Sequence, residues 1–245
     1  MSLRIRSLVF IILVLIVTAF FGGRILASSA PAQATDQSAH MADHFSKVGA
    51  VQLAVIRGVL EEVREPAKWM VDHQTAEGLP ERAARFIPEL KKAAQQAADA
   101  TDLVPAGQAT GEMAAVCGRC HAVTAVRPKL DAPPGAGGAG TEAHMMEHQY
   151  AVTLMYQGLI VPSTDAWVKG ADRLKKAALK ADKLPSDPAL TKEIVALEDK
   201  VHDLASQAAT TTNHAARSKL YGEVIASCGQ CHALHGRVWG PGVPK

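Results

Sequence analysis

The chain has four cysteines, and all of them fall in two short motifs, Cys117-Gly118-Arg119-Cys120-His121 and Cys228-Gly229-Gln230-Cys231-His232. Cys-x-x-Cys-His is the spacing of c-type haem attachment. The two thiols add across the haem vinyl groups, whose separation suits a two-residue gap on a helical turn. The adjacent histidine then lies under the iron as proximal ligand. The motifs predict two haem c groups, held by Cys117, Cys120, Cys228 and Cys231, with His121 and His232 as proximal axial ligands. A thiol redox pair fits less well, because it needs a helix N-terminus to lower its pKa, and here each motif closes a helical stretch. A zinc site built from two Cys-x-x-Cys pairs would leave both histidines unexplained. No cysteine remains for a disulfide framework.

A second pattern also occurs twice. His40-Met41-Ala42-Asp43-His44 opens one half of the chain, and His144-Met145-Met146-Glu147-His148 opens the other. Gly58, Pro66 and Trp69 follow in the first half; Gly158, Pro162 and Trp167 follow in the second. The order recurs while the spacing drifts, as in a duplication with altered loops. Between the halves, residues 127–141 form a Pro/Gly/Ala segment without apolar periodicity, which reads as a linker.

The elements that must position these residues are helical throughout. In the first half the pattern predicts helices over 37–57, 59–74, 81–102 and 106–125. In the second it predicts 142–160, 164–183, 187–209 and 212–234. Ser163 suits an N-cap, Pro188 suits a first helical turn, and Ile194, Leu197, Val201 and Leu204 form one apolar stripe. The expected fold is all-α: two tandem four-helix bundles with short loops, each with a covalent haem, plus one N-terminal transmembrane helix. The expected domains are 1–24 (anchor or signal segment), 36–126, the linker 127–141, and 142–245.

In an up-down-up-down bundle the end of helix four lies beside the start of helix one. Each proximal histidine therefore faces the His-Met-x-x-His pattern of its own half. His44 or Met41 is the expected distal ligand of the first haem, and His148 or Met145 that of the second. Imidazole is the better ligand for ferric iron and favours His44 and His148. His40 and His144, a turn nearer the helix start, are expected in solvent. His202 and His214 are expected on polar faces, and Trp69 and Trp167 in the core or against a haem edge.

A four-helix bundle with Cys-x-x-Cys-His near the end of its last helix resembles the cytochrome c′ family, the class II c-type cytochromes. The chain is similar to two such domains in tandem, over residues 36–126 and 142–235. The family's low-spin members take a methionine from helix one, which implies Met41 and Met145. Cytochromes c′ proper leave the sixth position empty behind an apolar residue, whereas this chain places strong donors there. The resemblance also implies a rival function, binding of nitric oxide or carbon monoxide.

Composition agrees with a buried prosthetic group. Hydrophobic residues make up 48% of the chain but aromatic ones only 4%, so an alanine-rich core is thin unless something large fills it. The net charge of +2 gives no sign of a nucleic-acid partner, and none is expected. Arg4 and Arg6 precede an uncharged run over 7–23, which Arg24 closes. That run is about the lower limit for a spanning helix, and a cleaved signal peptide with a soluble periplasmic product is the alternative. The positive-inside rule puts everything after Arg24 outside the cytoplasmic membrane. The expected function is electron transfer without enzymatic chemistry, between or within respiratory or photosynthetic complexes. The expected partners are membrane redox complexes as donor and acceptor. A peroxidase would need an acid-base histidine and usually a distal arginine, and Arg57 and Arg64 lie too far along the chain for helix-start geometry.

Overall fold

The computed structural model describes residues 30–77, 79–131, 140–176 and 188–235. The expected anchor over 1–24 lies outside the described residues. Among the described residues there is no strand, and no helix is long and apolar enough to cross a membrane.

The helices are α1 (Ala30–Arg57), a 3-10 turn (Leu60–Glu62), α2 (Arg64–Asp72), α3 (Glu81–Ala84), α4 (Ile87–Ala98), α5 (Leu103–Thr124), α6 (Gly140–Ile160), α7 (Thr164–Lys175), α8 (Thr191–Thr210) and α9 (His214–Leu234). Their starts follow from capping. The side chains of Asp102, Ser163 and Asn213 accept from the amides of Val104, Ala166 and Ala216, each satisfying one open donor of a first turn. Asp102 starts α5 three residues earlier than the pattern predicts, because Pro105 is tolerated within that first turn. The helix expected over 81–102 is broken into α3 and α4. Pro88 sits in the first turn of α4, where it has no amide to bond back into α3.

The chain divides within α1: Met1–Asp43 forms one unit and His44–Lys245 the other. Of the first, the described part is the opening turns of α1, residues 30–43. The second contains one continuous core drawn from both halves of the sequence, from Val48, Val55 and Met70 through Met113 to Met155, Trp167 and Tyr221. Many of its buried positions are alanines, among them Ala54, Ala67, Ala93, Ala94, Ala97, Ala205 and Ala208. Small side chains let helix axes approach closely.

One close approach is between α5 and α9. Gly107 faces Gly222 and Ala226, and Gly111 faces Ser218, so the two helices run antiparallel. A Cβ on Gly107 or Gly111 would run into the backbone carbonyls of Gly222 and Ser218. One on Gly222 would lie 2.7 Å from the carbonyl oxygen of Gly107. The halves are therefore a fixed pair. Polar ties cross the same boundary, including Gln52 Nε2 donating to the buried Tyr221 hydroxyl at 2.6 Å.

Replacing Gly222 with alanine is expected to lower stability by about 1–3 kcal/mol through overpacking against backbone. Gly49, in mid-helix, has open space around the same added atom; its replacement with alanine should raise stability by about 0.5–1 kcal/mol. Thermal unfolding followed by circular dichroism compares the two directly.

Candidate functional site

Both Cys-x-x-Cys-His motifs lie near the C-terminal ends of long helices, the first on α5 and the second on α9. Each motif histidine is oriented by a carbonyl at the end of another helix. His121 Nδ1 donates to the carbonyl of Ile160 at 2.8 Å, and His232 Nδ1 donates to that of Ile56 at 2.5 Å. Ile160 is the last residue of α6 and Ile56 the penultimate residue of α1. Carbonyls in a final helical turn have no partner inside their own helix, so each contact satisfies a group that burial would otherwise leave open.

The pairing crosses between halves. The first-half histidine closes a second-half helix, and the second-half histidine closes a first-half helix. The glycine inside each motif makes this possible. A Cβ on Gly118 would collide with the carbonyl of Leu159, and one on Gly229 with that of Val55. The motif helices approach the ends of α6 and α1 this closely only without a side chain at those positions.

A carbonyl can only accept, so the proton sits on Nδ1 and the lone pair on Nε2. Burial also lowers both histidines below their ordinary pKa, against the opposing pull of the carbonyl contacts. A neutral imidazole with Nδ1 held by backbone and its lone pair on Nε2 is the metal-ligating form. The neighbouring thiols are unpaired cysteines, all partly buried. Burial pushes Cys117 and Cys228 up to about 12 and Cys231 to about 11, and also raises Cys120. They are neutral thiols, not the thiolates of a redox pair.

Of the distal candidates, His40 and Met41 lie before the division at Asp43 and are partly exposed. His44 is buried, and its ring meets the edge of Trp69 at 5.7 Å. Trp69 in turn stacks on His73 at 4.2 Å and is only half buried. Trp167 is fully buried, as expected, and donates its indole N–H to the carbonyl of Ala208 at 2.8 Å.

The second-half pattern lies in a denser setting. His144, expected in solvent, is fully buried, and His148 is 7% exposed. The reason is Glu198 on α8, a buried carboxylate that the sequence reading passed over. His144 Nε2 donates to Glu198 Oε1 at 2.8 Å, and His202 Nε2 donates to the same oxygen at 3.0 Å. His148 Nε2 lies 3.5 Å from that oxygen without forming a hydrogen bond. Burial alone would raise the Glu198 carboxyl, but the contacts from His144 and His202 outweigh it and hold the group well below the usual range. Burial pushes His148 down to about 4, against the attraction of Glu198. Glu198 acts electrostatically on Cys228 and Cys231, and His148 feels His232. The cluster therefore lies near the second motif. Met145 is half-buried on the same helix.

His202 and His214 also depart from the expected polar faces. His202 is half-buried on Glu198. His214 packs against Gly118 and lies 3.3 Å from the carbonyl of Ala115. The signal for Glu198 was its register: Ile194, Glu198, Val201 and Ala205 are all buried, so a carboxylate occupies a core position of the apolar stripe.

Gly118→Ala and Gly229→Ala should each cost about 1–3 kcal/mol. Each should also loosen only its own histidine: His121 in the first variant and His232 in the second. Nitrogen-edited NMR of the imidazole N–H resonances, read for solvent exchange, tests this one-to-one pattern.

The chain matches no protein-family model, no curated protein and no solved structure.

Proposed function

We propose that this chain is a dihaem c-type cytochrome, built as two linked four-helix halves with one haem each, that transfers electrons on the outer face of the cytoplasmic membrane. The observation that carries the reading is the pair of Nδ1 contacts to Ile160 and Ile56. In both motifs the residue after the second cysteine is a neutral imidazole with its tautomer fixed for metal ligation, and two identical arrangements in one chain are not needed for packing. The neutral thiols of Cys117, Cys120, Cys228 and Cys231 are the partners for covalent attachment.

When bound, haem iron supplies a reversible one-electron couple at each site. The chain's residues would hold and orient it: the cysteine pairs would attach its edge, and His121 and His232 would serve as its proximal ligands. On the distal side the candidates are His44 or Met41 for the first haem and His148 or Met145 for the second. The uncharged run over 7–23 would tether the protein at the membrane, raising its effective concentration near membrane redox complexes acting as donor and acceptor. This follows the resemblance to class II cytochromes c in the attachment motif and helix pattern, and departs from cytochromes c′ proper in the donors available at the sixth position.

The test is expression in a host with c-type maturation, followed by haem quantitation and visible spectra of the reduced protein with and without carbon monoxide. The expected result is two haems per chain, one in each of the Cys117→Ala/Cys120→Ala and Cys228→Ala/Cys231→Ala double variants. Sharp reduced bands that carbon monoxide leaves unmoved are also expected. A chain without covalent haem would end this reading. Broad bands that shift under carbon monoxide would replace electron transfer with gas binding.

A further inference from the structure

We infer that His144, His148, Glu198 and His202 form a binding site for a divalent transition-metal ion, of the class to which zinc belongs, separate from the two Cys-x-x-Cys-His motifs. The donors come as two pairs at helical i, i+4 spacing, His144 and His148 on α6 and Glu198 and His202 on α8. That spacing turns both members of a pair to one face of their helix, and the two faces meet. The ligand atoms of His144, His148 and Glu198 all lie within 4.8 Å of one another. The Nε2 atoms of all three histidines gather around one carboxylate oxygen, at 2.8, 3.5 and 3.0 Å for His144, His148 and His202.

Three imidazole nitrogens and one carboxylate oxygen make a four-ligand set suited to tetrahedral zinc and to neighbouring first-row divalent ions. A hydrogen-bonded cluster alone leaves a defect. His148 Nε2 is buried, aimed at Glu198, and forms no hydrogen bond, an arrangement that costs about 1–3 kcal/mol when nothing offsets it. A cation at the centre of the four groups gives that nitrogen a partner and balances the buried carboxylate. His202 is further held by a backbone contact to Lys175, the kind of outer support that orients a metal-bound imidazole. Its side chain is 25% exposed, so the cluster has an entry side.

The first half cannot build the same site. When the two cysteine motifs are aligned, Ile87 and Lys91 stand where Glu198 and His202 stand in the second half. One ion per chain is therefore expected, not two. This inference does not depend on haem. Where both readings hold, His148 is occupied by the ion, and Met145 is the donor of the pattern left for the second iron.

The experiment is calorimetric titration of the full-length purified protein with zinc chloride, then elemental analysis of zinc and iron after dialysis. Iron content reports the haem reading separately from zinc. The expected result is one zinc per chain, with affinity falling at least about tenfold in Glu198→Gln and in His202→Ala while iron content stays constant. His202→Ala alters a partly exposed position, so it tests the site even if Glu198→Gln unfolds, as circular dichroism would reveal. Failure of the wild type to retain zinc, or equal retention by a folded His202→Ala variant, would overturn the proposal.

Discussion

The arrangement depends on a hydrogen bond that two histidines each make to the open end of a helix. Ile160 and Ile56 present carbonyls that their own helices cannot satisfy. His121 and His232 carry ring N–H groups that must be paired once buried. Each contact meets both needs, and each runs between halves. Separating the halves would strand two carbonyls and two ring donors, each at about 1–3 kcal/mol. It would also expose the glycine-lined contact between α5 and α9. The two motifs are thus properties of one cooperative unit, and neither can keep its geometry without the other half.

The halves share a plan but not an environment. His44 lies against the edge of an aromatic ring, whereas its counterpart His148 lies beside a buried carboxylate. A buried anion stabilises positive charge nearby more than a neutral indole does, since the surrounding low dielectric screens it poorly. Any charge-changing chemistry at the second motif is therefore biased relative to the first. The source of the bias is two substitutions on one helix face, Glu198 and His202 in place of Ile87 and Lys91. The two sites carry the same first-helix pattern, and the packing partner makes them different.

Much of this was legible in the residues. Most of the helices follow from apolar period, capping by Ser163, and the proline and glycine breaks. The exceptions are the helix split at Pro88, where a favourable apolar pattern hid a missing amide, the helix expected over 59–74, which is a 3-10 turn followed by α2, and the helix expected over 187–209, which begins at Thr191, past Pro188. The cysteine motifs identified the candidate attachment residues by spacing alone. Which helix end orients each histidine was not legible, because that contact lies between positions 39 and 176 residues apart and leaves only a glycine as its mark. Glu198 escaped for a different reason. Charged residues are rarely buried unless paired, and two of its partners, His144 and His148, lie on another helix, so only its register in the apolar stripe pointed to it.

The linker between the halves illustrates what composition can and cannot decide. A Pro/Gly/Ala segment over 127–141 is compatible with two domains moving apart or with two domains locked together, because a permissive connection does not determine the interface it spans. The interface is determined elsewhere, by Gly107, Gly111 and Gly222, whose missing side chains bring backbone against backbone along α5 and α9. Such contacts leave no room for sliding: a shift of one residue would put Cβ atoms where carbonyls now sit. On the proposed reading this fixes the relation between the two redox sites, so an electron entering at one motif meets the other at a set separation rather than by chance encounter of tethered domains.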